Sequence, residues 1–197
     1  KSCLIEILSR EESVSEIILL LPTLKKIVAS NKYIVMLSPP HIPYIPTFQS
    51  FGIKEKFILV VNTNRVMEKL WVIEHSIRCN LFGGLLVWIK EPCTFEKLRK
   101  VQTLAKRSNG LNFIFRPLEA KKKPSPSPLR MTICSDKYPL LKMNIIKRRG
   151  PTKLTPITID TSTIFSKKNT SKLKPNYDLD CIPPRNRGRN NILKKNT

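Results

Sequence analysis

The sequence predicts an α/β three-layer sandwich built on a mostly parallel sheet. Short apolar runs rich in β-branched residues recur at residues 3–8, 33–37, 57–61, 84–89 and 111–115. Segments with apolar residues at helical spacing separate them. The runs are apolar throughout rather than alternating, as strands covered on both faces must be.

The first run (CLIEIL) is a buried strand. Ser13 with Glu16 three residues on forms a capping-box pattern, and the helix that follows carries Ile17, Leu20, Leu21, Leu24 and Val28, with Pro22 set to kink it. YIVML is the second strand, ended by Ser38-Pro39-Pro40. Prolines keep residues 41–46 extended or turned, and residues 47–52 fit a short helix with Gly52 at its C-terminal cap. FILVV is the third strand. Residues 64–79 are the clearest helix, with Val66, Leu70, Ile73 and Ile77 inward and Arg65, Glu68, Lys69 and Arg78 outward. GLLVWI is the fourth strand, and Thr94 caps a helix bearing Phe95, Leu98, Val101, Leu104 and Ala105. LNFIF is the fifth. Lys121-Lys122-Lys123 and Pro124-Ser125-Pro126-Ser127-Pro128 then make an extended, exposed connector. Residues 129–134 and 140–146 form a terminal β-hairpin. From Arg148 on, basic and polar residues and prolines predict a disordered tail. The domain organisation expected is therefore a folded unit over 1–147 and a basic tail over 148–197.

Of the 197 residues, 36 are Lys or Arg against 14 Asp or Glu, a net charge of +22. Such a balance attracts nucleic acid or an acidic protein. It also has a compositional reading, because Lys, Asn and Ile all rise when codons drift toward A and T. The five cysteines form no C-x-x-C pair, so reduced thiols in a cytoplasmic protein fit better than a zinc ribbon or a disulfide scaffold. Neither histidine, His41 nor His75, has a partner at metal-ligand spacing, and no apolar run is long enough to span a bilayer.

At the first strand-to-helix turn a phosphate-cradling loop would need glycines and a lysine. The sequence there is Ser9-Arg10-Glu11-Glu12-Ser13-Val14-Ser15-Glu16, with three carboxylates and neither of those residues. It repels a triphosphate. No G-x-S-x-G elbow accompanies any serine, and Glu11-Glu12 at a helix N-terminus has an ordinary stabilising role.

Ile5-Glu6-Ile7, Asn31-Lys32-Tyr33-Ile34-Val35, and Phe51-Gly52-Ile53 before Phe57-Ile58-Leu59-Val60 resemble the RecA ATPase core. Further stretches are Leu19-Leu20-Leu21-Pro22, Leu37-Ser38-Pro39-Pro40-His41-Ile42-Pro43-Tyr44, Phe115-Arg116-Pro117, Pro124-Ser125-Pro126 with Leu129-Arg130, and Ile146-Lys147-Arg148-Arg149-Gly150. Together they resemble the SulA/ImuA family of SOS-response proteins over about residues 3–151, and the ImuA branch more closely. The resemblance implies a RecA-like fold with a degenerate nucleotide site, no catalysis and no cofactor. A working site also needs an acid at the end of the second strand and another at the end of the fourth. Here those places hold Ser38-Pro39-Pro40 and Val87-Trp88-Ile89, with Glu91 following.

For the ImuA branch the implied role is support of error-prone translesion DNA synthesis. Its implied partners are an ImuB-like polymerase homologue, an error-prone polymerase subunit and RecA, with DNA held through the tail. The SulA branch implies instead inhibition of cell division by binding FtsZ. A third reading, an ATPase with its phosphate loop before Lys1, is disfavoured because the strand expected before such a loop is already visible at residues 3–8. The residues expected to make contacts are Lys142, Lys147, Arg148, Arg149 and Lys153, as a cationic edge beside the last strand. The other candidate is the loop exposing His41 and Tyr44, which reads equally as a structural crossover. Trp71 and Trp88 are expected to pack in the core.

Overall fold

The computed structural model describes residues 2–10, 15–79, 81–135, 137–151 and 155–166. Eight strands form one sheet: β1 (Leu4–Ser9), β2 (Tyr33–Leu37), β3 (Ile58–Val61), β4 (Phe82–Trp88), β5 (Leu111–Pro117), β6 (Leu129–Ser135), β7 (Leu140–Lys147) and β8 (Ile157–Asp160). Their spatial order is β3-β2-β4-β5-β1-β6-β7-β8. β1 to β6 pair in parallel, β7 is antiparallel to β6, and β8 is antiparallel to β7. Only β7 therefore runs against the rest, and β1 lies inside the sheet between β5 and β6.

The two faces are built by alternation along each strand. One face sets Ile7, Ile34, Met36, Leu86, Phe113, Phe115 and Ile133 against helix α1 (Ser15–Ala29) and the short helix α2 (Ile45–Ser50). The other sets Leu4, Val35, Leu37, Val87 and Ile114 against α3 (Val66–Arg78) and α4 (Phe95–Ala105). A short helix α5 (Ser162–Ser166) follows β8. α1 continues through the exposed Pro22 to Ala29, and two residues on Asn31, with φ 56°, makes the left-handed turn that closes a helix. Gly52 has φ 79°, and the backbone amides of Phe51 and Gly52 close the end of α2 on Phe48 and Gln49.

One polar cluster crosses the second face. Glu6, fully buried on β1, accepts from Arg116 Nη1 on β5 at 2.9 Å, and Arg130 Nε on β6 lies 2.8 Å from its other oxygen. Arg130 Nη2 donates to the Ala120 carbonyl at 3.0 Å. Pairing on both sides is what makes a buried carboxylate tolerable here.

Several expectations are corrected. Lys69, expected outside, is 2% exposed: its long stem crosses the inner edge of α3 and its ammonium finds three acceptors. Trp71, expected in the core, is 63% exposed and stacks on His75, because it lies just beyond the inward stripe. Trp88 is buried as expected, stacked 4.5 Å from Phe115. β3 is an edge strand, so Leu59 and Val60 are exposed rather than buried. The Pro-Ser connector is not fully exposed: Ser125 and Ser127 are buried, and Lys147 Nζ donates to the Ser125 carbonyl at 2.9 Å. The segment beyond 147 contains β8 and α5. Ser13, Glu11, Glu12, Lys153 and residues 167–197 lie outside the described residues.

Candidate functional site

In a parallel sheet every strand-to-helix loop gathers at one end, the C-terminal end of the strands, where α/β proteins usually bind ligands. That end here has a cleft of about 160 Å³ over β1, β4 and β5, lined by Ser9, Arg10, Glu16, Trp88, Ile89, Lys90, Phe115, Arg116 and Pro117. It lies where a phosphate loop between β1 and α1 would deliver its anion.

What fills that place is a carboxyl group. Glu16, in the first turn of α1, is 2% exposed and its Oε1 has no hydrogen-bond partner. Burial pushes its pKa from the ordinary 4.5 to about 7, against the opposing hydrogen bond from the Ser9 hydroxyl. Beneath it the stacked rings of Trp88 and Phe115 make the floor apolar. A phosphate reaching the floor meets a carboxyl and aromatic carbon; of the cations in the lining, Arg10 and Lys90 stand exposed and Arg116 is paired with Glu6.

The other two places are likewise occupied by structure. Ser38 has φ 52°; its hydroxyl donates to the Thr63 carbonyl at 2.9 Å and accepts from the Thr63 amide at 3.2 Å. It staples the loop after β2 to the loop after β3. Glu91 is bound by Lys69, whose Nζ lies 2.8 and 3.1 Å from its two oxygens and 3.1 Å from the Trp88 carbonyl. Partial burial opposes ionisation of Glu91, but the Lys69 ammonium outweighs it and holds the carboxyl below its ordinary range. Cys93, close by, has its thiol pushed up by burial, so it is a poor nucleophile. Among the described residues no three His, Cys, Asp or Glu group together to hold a metal.

The candidate contact residues fall at opposite ends of the sheet. His41 and Tyr44 are exposed in the loop after β2, at the cleft end, where Ile42 is 92% exposed. The Ser38 staple fixes one end of this loop and Tyr44 starts α2, so these side chains stand on an anchored loop. Lys147 ends β7 opposite Arg130, near the start of β6, at the far end. Arg148 and Arg149 follow it, exposed. Lys142 lies opposite Cys134 in the same ladder, and five residues of strand separate it from Lys147 by about 17 Å. The expected cationic edge is therefore two separate places. Sequence reasoning missed the Lys69–Glu91 pair, Glu16 as a buried group, and Ile42. An exposed isoleucine between prolines was the one available signal.

No family model and no curated protein matches the sequence. Among the solved structures that match is SulA from Pseudomonas aeruginosa, 16% identical, covering 58% of this chain and 97% of that one with a TM-score of 0.45. A likeness of that size assigns no function. Among the described residues no helix is long and apolar enough to cross a membrane.

Proposed function

We propose that this chain is a RecA-like accessory protein of the DNA-damage response that acts by binding other proteins and hydrolyses no nucleotide. One observation carries the reading: a buried carboxyl, Glu16, over an aromatic floor stands where a nucleotide's phosphates would bind. The central position of β1, with its C-terminal end facing the cleft, supports the RecA-like description.

Within that reading the chain serves error-prone translesion synthesis. The sequence stretches that resemble ImuA support this, and several fall on the end of β5, the connector and the β6–β7 hairpin. An ImuB-like polymerase homologue is then the first partner, with a polymerase subunit or RecA joining it. The apolar side chains exposed near the cleft, Ile42 and Tyr44 on the stapled loop and Met67 and Trp71 on α3, suit a protein contact.

A pull-down with the tagged chain as bait and ImuB, RecA and FtsZ as separate preys tests it. Retention of ImuB, lost on Ile42→Asp with Tyr44→Ala, is the expected result. Retention of FtsZ alone would replace translesion support with the division-inhibitor role. Stimulated phosphate release from ATP in the presence of single-stranded DNA would overturn the non-catalytic core of the proposal.

A further inference from the structure

Among the described residues the acids are unevenly placed by the topology, and the end they leave to cations is a candidate binding face. Every helix-to-strand loop of a parallel sheet returns to the N-terminal end of the strands, opposite the cleft. Those returns carry Lys25, Lys26 and Lys32 between α1 and β2, Lys54 and Lys56 before β3, and Lys106 and Arg107 before β5. The connector adds Lys123 before β6, and the end of β7 adds Arg148 and Arg149. All are exposed except Lys32, which is half-buried. Among the described residues the acids near this end are Glu55 and, higher on α3, Glu74, which is already held by Arg78 and Lys100. Glu16, Glu68, Glu91, Glu96, Glu119 and Asp160 all stand toward the other end, where they accompany the exposed Arg10, Arg65, Lys90, Lys121, Lys122 and Lys137 and the half-buried Lys97.

Close backbone packing brings these loops together. A Cβ on Gly83 would stand 2.8 Å from the Cβ of Lys32, and one on Gly110 would stand 2.7 Å from the Gly83 carbonyl oxygen. The loops before β2, β4 and β5 therefore abut. A Cβ on Gly52 would lie 3.7 Å from Lys25 Cε, joining the end of α1 to the turn that leads to Lys54. Lys147 clasps the connector that carries Lys123 through its bond to the Ser125 carbonyl.

We infer that this end of the sandwich binds the phosphate backbone of nucleic acid, without reading sequence. The inference goes beyond the function proposed above and stands on charge placement alone. Two plainer explanations fall short. Cations at helix C-termini complement the helix dipole, which accounts for Lys26, Arg78 and Lys106 but not for Lys54, Lys56, Arg107, Arg148 or Arg149 on loops and strand ends. Codon drift accounts for lysine on every exposed surface, the cleft end included, but not for the near-absence of acids from this one end.

Seven strands reach this end, since β8 starts opposite Met143, and at about 4.8 Å spacing they make a face about 29 Å wide, most of one turn of duplex. A protein partner would want an apolar centre, and a membrane would want apolar side chains to insert. Leu81 at 60% is the most exposed large apolar side chain at this end, with Tyr33 and Leu111 at 37%; Ile42, Tyr44, Met67, Trp71 and Tyr138, all above 60%, are elsewhere.

The test is fluorescence anisotropy of a labelled duplex of about 30 base pairs with the full chain across a potassium chloride series. Two variants remove equal charge: Lys26→Gln with Lys54→Gln and Lys106→Gln, and Arg65→Gln with Lys97→Gln and Lys137→Gln at the cleft end. The first should weaken binding at least about tenfold at 0.15 M salt and flatten the slope of log K against log salt by about 2 to 3. The second should change affinity less than about twofold. Equal losses would mean that net charge alone binds, and no loss in the first would place binding elsewhere on the chain. Either result overturns the inference, as would tighter binding to phosphatidylserine vesicles than to duplex at the same salt. Thermal melts of both variants verify folding.

Discussion

The two ends of this sheet are made by the same strands yet carry opposite chemistry. At the C-terminal end, exposed cations such as Arg10, Arg65 and Lys137 are mixed with acids, and two carboxyls are taken up by structure: Glu16 over an aromatic floor, and Glu91 gripped by Lys69. At the N-terminal end, cations are many, exposed and unanswered by the few acids near them. Ligand chemistry in α/β sheets usually sits at the first end. Here the floor of that end is taken up by a carboxyl and aromatic rings, and the second end holds exposed cations with few acids among them.

The contrast predicts how substitutions sort. The largest effect belongs to the buried cluster between the ends. Glu6→Ala leaves Arg116 and Arg130 buried without a counter-charge and should cost about 3–5 kcal/mol in urea unfolding. Next is Glu16. Its pKa of about 7 in the fold is above the ordinary 4.5, so the folded state holds an extra proton between those values. Its contribution is fully present below about pH 4.5 and is lost as pH rises to about 7 and beyond. Glu16→Gln should therefore flatten the pH profile of stability over that window and stabilise the protein by about 2–3 kcal/mol at pH 8. A variant profile parallel to the wild type from pH 4 to 8 would show that Glu16 ionises freely.

Smaller is Lys69→Met, which keeps the packed stem but strands the Trp88 carbonyl and Glu91; about 1–2 kcal/mol is expected. Smallest are Trp71→Ala and Lys54→Gln, both exposed, which should change stability by less than about 0.5 kcal/mol. A large loss for Lys54→Gln would mean that the cationic end is structural, and the comparison of ends would fail.

Much of the fold was legible because apolar runs announce buried strands: β1 to β5 and the β6–β7 hairpin fall within a few residues of expectation. β8 was hidden in a polar stretch, although Ile157-Thr158-Ile159-Asp160 has the alternation of a half-covered strand. Pairing order was not legible, since nothing local in β1 says that β5 and β6 will flank it. Lys69 reads as a surface residue because lysine's burial depends on an acceptor twenty-two residues away, Glu91. The absence of a phosphate loop was plain in residues 9–16. That one of those acids would be buried in its place needed the fold. The cationic end is written in the sequence too, but only the topology shows that Lys26, Lys54 and Lys106 reach the same side.

The central claim, that the cleft end takes no nucleotide, is tested most directly by titrating magnesium-ATP into the folded chain by calorimetry. No saturable heat up to about 1 mM is the expected result, for the wild type and for Glu16→Gln alike. A single-site isotherm with a Kd below about 100 µM would contradict the account.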